Sequence, residues 1–290
     1  MIVPVTFLFN WSHPSDKDRQ TVMYEFAANG AKHLVLTDTL IKMIEREPKL
    51  HRELPKEVEK AGLDFVDAHA PFMDDCDICC PEPAVRPFML AHLKLVLQIV
   101  ADFGVKTCTV HIGNVFYKEY TLEQHCEATC RSLDEVLPLA EKLGITICLE
   151  NLQRIGSHVD DLLGYFKKYP SPNLGACFDA GHANIMENGM KFPKCSGTVS
   201  FDELGVPVQW EHDVLGRLLP HVVNCHLHDN DGTADQHLLP GLGTINWKKL
   251  VPKLLSAPRL ACVQSEVIPL KNQQPIRPLC EKIAELFGSL

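Results

Sequence analysis

The sequence predicts a single (β/α)8 TIM barrel spanning residues 1–290. Three observations carry that expectation. Short apolar runs alternate with longer helical patterns from one end of the chain to the other. Eight such pairs fit into 290 residues, the arithmetic of this barrel. Side chains able to ligate metals recur at the C-terminal ends of successive runs, the rim on which such barrels build their sites. A doubly wound open sheet is the alternative, but no GxGxxG follows the first run.

The expected strands are residues 2–9, 33–37, 63–69, 105–111, 145–150, 174–179, 222–226 and 260–267. Each is continuous enough to be covered on both faces, as parallel strands are. The expected helices are residues 16–28, 50–61, 84–103, 121–143, 159–168, 209–219, 247–255 and 275–287. Gly30, Gly62, Gly104 and Gly144 end four of these patterns, where a left-handed cap favours glycine. Pro87 stands near a helix start, where proline is tolerated. The one oversized connection, residues 183–207, is rich in Gly, Asn, Lys and Ser and reads equally as a lid or as surface decoration. No linker or low-complexity tract marks a second domain.

Composition narrows the class. A hydrophobic content of 46% with no apolar run of about 18 residues fits a soluble enzyme-sized protein and indicates no membrane span. The first residues, MIVPVTFLFNWSHP, lack a basic region and a cleavage site and read as a strand, not a leader. Twelve cysteines in such a chain predict free thiols in a reducing, cytoplasmic compartment. Cys108, Cys148, Cys177, Cys225 and Cys262 fall on expected strands as small buried hydrophobes. Cys76, Cys79 and Cys80 cluster, but no second CxxC follows at zinc-ribbon spacing. A net charge of -9 argues against broad nucleic-acid binding and leaves a local basic groove open.

The chemistry sits at the strand ends. His69, His111, Glu150, Asp179 and His226 end strands three to seven, and Glu266 lies near the end of the eighth. One or two such residues are ordinary helix caps. Six consecutive units carrying one each are not explained by capping. Asp179 and His182 in FDAGH are three apart, so one helical turn aims both inward. The stretch NCHLHDNDGTADQHLLPGLGTINW, residues 224–247, adds His228, Asp229, Asp231, Asp235 and His237. Asp235 and His237 are two apart, so an extended backbone turns both to one side. Mixed imidazole and carboxylate suits zinc, manganese or iron.

These motifs together, HAPF at His69, VHIG at His111, LEN at Glu150, CFDAGH, HLHDN followed by DQH, and SEV at Glu266, resemble the xylose isomerase-like TIM-barrel superfamily. The superfamily includes sugar isomerases and epimerases, inosose dehydratases and the endonuclease IV-type AP endonucleases that repair DNA. The resemblance to the isomerase branch implies one divalent metal, zinc or manganese, on Glu150, Asp179, His226 and Glu266. The resemblance to the endonuclease IV branch implies three zinc ions on His69, His111, Glu150, Asp179, His182, His226, Asp235, His237 and Glu266. Related barrels form homodimers or tetramers, so a homo-oligomer is left open.

The rim loops rank these branches. Duplex DNA is held chiefly by Lys and Arg on phosphates. The third loop, PFMDDCDICCPEP, instead carries Asp74, Asp75, Asp77 and Glu82, and the first and seventh loops also lack basic residues. A small polyhydroxy substrate, a sugar, sugar phosphate or polyol, fits an acidic metal-bearing rim better. The expected activity is a metal-dependent isomerase or epimerase in carbohydrate metabolism, in which the metal stabilises an enediolate. Glu150 and Glu266 face the substrate from different sides, one removing the proton and the other returning it, and His182 orients a hydroxyl. The expected substrate contacts are His69, His111, His182, His237, Trp11 and Phe72. The runner-up is the trinuclear-zinc AP endonuclease, and an inosose-type dehydratase shares the enediolate step. Lys118 and Arg154 are rim-placed cations, His228 and Asp229 read equally as supports or as a solvated loop, and Trp247 reads as helix packing.

Overall fold

A computed structural model describes residues 3–9, 15–73, 76–113, 115, 117–154, 156–188, 191–269 and 273–288. Among them eight strands close into one parallel barrel in sequence order, each paired with its neighbours and the eighth with the first. They are β1 (Val5–Phe7), β2 (His33–Leu36), β3 (Asp64–His69), β4 (Thr107–Val110), β5 (Thr146–Glu150), β6 (Leu174–Asp179), β7 (Val222–Leu227) and β8 (Val263–Ser265). Each lies inside or close to its expected range. The first and last are shorter because only their centres keep ladder partners.

The shell is helical. The helices are α1 (Asp16–Ala28), α2 (Asp38–Arg46), α3 (Leu50–Lys60), α4 (Arg86–Asp102), α5 (Leu122–Leu143), α6 (Val159–Lys168), α7 (Ala180–Glu187), α8 (Val199–Leu204), α9 (Val214–Leu218), α10 (Trp247–Leu254) and α11 (Ile276–Phe287). Local chemistry sets several starts. Ser15 with Asp18 and Thr121 with Gln124 form reciprocal capping boxes on α1 and α5. Gly144 closes α5 at a φ of 68°, a left-handed cap that a Cβ would strain.

Three segments depart from expectation. α2 escapes a helix search because it is short and runs into α3, yet Leu40, Ile41 and Ile44 turn one face into the core and Thr37 caps it. The expected helix at 209–219 shrinks to α9, because Asp213 takes a φ of 51° immediately before it. The 183–207 connection is not a loop throughout: α7 fills its start, and a 3-10 turn at Ser196–Thr198 leads into α8. It is also docked. Ser196 Oγ donates to Gln153 Oε1, Ser196 N to the Thr233 carbonyl and Ser200 Oγ to the Gln153 carbonyl.

Alternation along the strands splits burial into two compartments. Val5, Leu34, Ala68, Val110, Leu149, Phe178 and Leu227 join the apolar core under the helices. The alternate positions face the barrel axis, and many are polar: Thr6, Asp67, Thr107, Thr109, Asn224 and Gln264 are buried there. Asp67 and Asn224 meet across the interior although β3 and β7 are not neighbours. The five strand cysteines are buried free thiols, as expected. Cys76, Cys79 and Cys80 are buried too, with Cys76 Sγ 3.3 Å from His92 Nδ1. Among the described residues no helix is long and apolar enough to cross a membrane.

Gly175 on β6 shows how closely the ladder is packed. A Cβ there would overlap Val223 Cγ2 and lie 2.9 Å from the His221 carbonyl. Gly175→Ala is expected to destabilise the fold by about 1–3 kcal/mol, read as a lower urea midpoint at unchanged slope.

Candidate metal centre

All nine residues expected to ligate metal meet at the C-terminal mouth of the barrel. β3 delivers His69, the residue after β4 is His111, and their Nε2 atoms lie 3.1 Å apart. Glu150 ends β5, 2.9 Å from His111 Nε2 and 3.7 Å from His69 Nε2. Asp179 ends β6 and caps α7, accepting the His182 N–H at 2.5 Å, so the first turn of α7 turns His182 inward. His182 Nδ1 stands 3.3 Å from Glu150 Oε1, and its Nε2 stands 3.5 Å from Asp235 Oδ2. His226 on β7 places Nδ1 3.3 Å from Glu150, 3.4 Å from Glu266 and 3.9 Å from Asp179. His237 Nε2 is 3.1 Å from Asp235 Oδ2, and its Nδ1 donates to the Glu266 carbonyl at 2.9 Å.

One local expectation fails. Asp235 and His237 do converge, but not through an extended backbone: His237 takes a φ of 52°. That left-handed turn, unusual outside glycine, swings the ring back toward Asp235.

Burial and like charge dominate the electrostatics. Asp179 and His226 are wholly buried and Glu150 is 1% exposed. Burial alone would raise the Glu150 carboxyl, but the charges of His226 and His111 and bonds from His111 and His182 hold it well below the usual carboxylate range. Glu266 goes the other way, pushed well up by burial and then by Asp179, Glu150 and Asp235. Burial would lower His182, yet Asp179 and Asp235 raise it well above an ordinary imidazole. Among the described residues no Lys or Arg is ion-paired with Glu150, Asp179, Asp235 or Glu266.

The donor set fits a cation. Tetrahedral zinc ligands at ordinary bond lengths stand about 3.3 Å from one another, and the separations above scatter around that value. Groups close enough to share an ion are His69 with His111 and Glu150, and Glu150 with Asp179 and His182. His226 Nδ1 and Asp235 Oδ1 are buried without a hydrogen-bond partner, as befits atoms whose partner is a metal.

Other expectations resolve individually. His228 is no solvated loop residue: it is wholly buried, 3.2 Å from Asp179 Oδ2, and stacks on His237 with ring centroids 4.1 Å apart. Asp229 is structural, accepting the Trp247 indole N–H and the Gly241 N–H, each at 2.8 Å. Asp231 serves its own turn through Thr233. Phe72 stacks on His111 at 4.8 Å, and Trp11 lies outside the described residues. A cavity of 380 Å³ above the cluster is lined by Phe72, Arg154, His182, His237 and Glu266; Lys118 lines a different cavity. Asp38, also in its wall, was missed. It directly follows the second expected strand, so the strand-end rule used elsewhere could have found it.

A sequence profile described as xylose isomerase-like TIM barrel matches residues 20–259. The chain belongs to this family. Two curated relatives of this xylose isomerase-like barrel are an uncharacterised protein of Methanocaldococcus jannaschii and fructoselysine 3-epimerase of Escherichia coli O157:H7. The first is 28% identical over 64% of this chain and 58% of its own length. The second is 26% identical over 55% of this chain and 51% of its own. The chain thus spans about half to three fifths of the length of the curated relatives it matches. A solved D-tagatose 3-epimerase-like protein superposes with a TM-score of 0.73 at 20% identity, covering 98% of this chain and 96% of that one.

Gly181 makes room for the cluster, because a Cβ there would sit inside the His228 ring. Gly181→Ala is expected to separate the His228–His237 stack. Imidazole resonances of both should shift in NMR spectra, with a stability loss of about 1–3 kcal/mol.

Proposed function

We propose that this xylose isomerase-like barrel is a metal-dependent isomerase or epimerase of a sugar, sugar phosphate or related polyol. One observation carries the reading: Glu150 and Glu266, from strands three places apart, both come within 3.4 Å of His226 Nδ1 at the floor of one small cavity. The similarity to fructoselysine 3-epimerase supports the same class of substrate.

Glu150, Asp179, His226 and Glu266 would hold the divalent ion, zinc or manganese. When bound it supplies Lewis-acid polarisation of a substrate oxygen and so acidifies the neighbouring C–H. The chain does the rest. One of the two glutamates takes the proton from carbon, and the other returns one. His182 and His237 stand at the cavity wall to hold hydroxyls, and His111 with Phe72 forms a flat side against which a sugar packs. The walls shed water from the reacting carbon, since 380 Å³ suits one small polyol.

A second reading has its own support. His69, His111, His182, Asp235 and His237 exceed the needs of one ion, and their separations suit the three-zinc AP endonuclease arrangement. Two of the four third-loop carboxylates have partners within the chain, while Asp74 and Asp75 lie outside the described residues. Asp77 is buried, accepting N–H groups of Gly113, Val115 and Cys79, and Glu82 accepts the Tyr120 hydroxyl.

Three outcomes decide. Protein purified without chelator should carry near one divalent ion per chain, and a count near three would favour the endonuclease. Glu150→Gln and Glu266→Gln should each cut proton exchange at the substrate carbon by about 10²–10⁴-fold; exchange surviving both changes removes the two-carboxylate mechanism. Rapid cleavage of abasic-site duplex DNA would overturn the epimerase reading. Chelation should also lower the melting temperature, since an ion at 100 times its Kd stabilises the fold by about 2.7 kcal/mol.

A further inference from the structure

We infer that Arg154 is a specificity-determining residue: its guanidinium takes an anionic group, phosphate or carboxylate, at the end of the sugar remote from the cation. The inference rests on the isomerase reading above and narrows its substrate to an acidic sugar.

The cavity over the metal cluster is crowded with negative charge. Asp38, Glu150, Asp235 and Glu266 stand in its wall, and among the described residues Arg154 is the one Lys or Arg there. Arginine and carboxylate within reach of each other form a two-bond fork. Arg154 forms none. Among the described residues its side chain makes no ion pair and no hydrogen bond, so the guanidinium stands off from the groups that would hold the ion. Nor does Asp38 call for it, since Lys42 lies 3.8 Å away, one turn along α2.

The backbone beneath Arg154 is fixed on both sides. The Gln153 carbonyl accepts the Ser200 hydroxyl at 3.1 Å, and the Gln153 side-chain oxygen accepts that of Ser196 at 2.7 Å. The Arg154 carbonyl accepts the Ser157 N–H at 3.3 Å and its hydroxyl at 2.8 Å. The docked segment with α8 and the turn before α6 thus hold the loop after β5, while the charged end of Arg154 is left to the cavity.

Chemistry names the ligand. A guanidinium is a permanent cation with five N–H donors in one rigid plane. That plane matches two oxygens of a phosphate or carboxylate at once, whereas a sugar hydroxyl uses one donor and none of the charge. A sugar phosphate or sugar acid then lies with its oxygens on the ion at one end and its anion on Arg154 at the other. Without Arg154 the same anion would meet repulsion from the carboxylates in the wall.

The plain alternative is an arginine that water alone solvates. Wild type, Arg154→Gln and Arg154→Lys, each loaded with zinc or manganese, separate the two. The probes are D-fructose and D-ribulose, their terminal phosphates, and D-fructuronate, which share a ketose head and differ at the far end. Calorimetry reads the Kd of each, and exchange of carbon-bound hydrogen with D2O reads turnover. Wild type should favour an anionic sugar over its neutral parent by about 10-fold or more in both, and the one it favours tells phosphate from carboxylate. Arg154→Gln should cut that preference by about 10–100-fold, through Kd and KM and not kcat, the loss expected for charged hydrogen bonds. Arg154→Lys should keep part of it, because an ammonium retains the charge without the fork. A wild type that favours the neutral ketoses overturns the inference. So does Arg154→Gln that keeps the preference, or that weakens neutral and anionic sugars alike. A wild type that exchanges hydrogen on none of the five overturns the isomerase reading itself, and the inference with it.

Discussion

Four carboxylates held in one cup, with no paired lysine or arginine among the described residues, set the terms for the rest of the structure. Two like charges 4 Å apart repel by about 4 kcal/mol at the effective dielectric of a protein surface, and more when water is excluded. Glu150, Asp179, Asp235 and Glu266 cannot all stay ionised there unless positive charge comes from imidazoles or from a cation. The opposite displacements of Glu150 and Glu266 express that conflict. Six imidazoles surround the carboxylates, which is why a closed barrel, stiff enough to resist the repulsion, is the scaffold that suits them.

The scaffold meets this demand with specific clamps. Asn151 ties the ends of β5 and β6 together, accepting the Asp179 N–H at 2.9 Å and donating to the Asp179 carbonyl at 3.0 Å. The loop after β7 is held by Asp229, which gathers the indole of Trp247 and the backbone of the PGLG turn. Asn230 adds a bond to the Gly181 carbonyl. Asp235 and His237 therefore hang from a segment clamped to its neighbours by these bonds.

The interior explains why polar and apolar burial do not compete. Outward-facing strand residues join the helices in a dry core, where each buried aliphatic side chain contributes roughly 1.5–3 kcal/mol. Inward-facing positions carry Thr, Asp, Asn and Cys, linked to each other by hydrogen bonds. The outer layer supplies stability, and the inner layer carries a polar network beneath the mouth.

Much of this was legible in the chain alone. Continuous apolar runs and the glycines closing helices located all eight strands, because buried parallel strands and left-handed caps leave strong local signatures. The strand-end rule found His69, His111, Glu150, Asp179, His226 and Glu266, because barrel topology brings equivalent positions of each unit to one rim. Tertiary structure alone decided the remainder. His228 entered the cluster only because Gly181, distant in sequence, leaves its ring room. Asp77 left the rim because backbone N–H groups of the next loop needed an acceptor. Asp67 and Asn224 bond across the barrel interior, a pairing that no spacing rule connects. Sequence period tells which face a side chain takes, whereas its partner across a barrel depends on closure, and closure is a property of the whole chain.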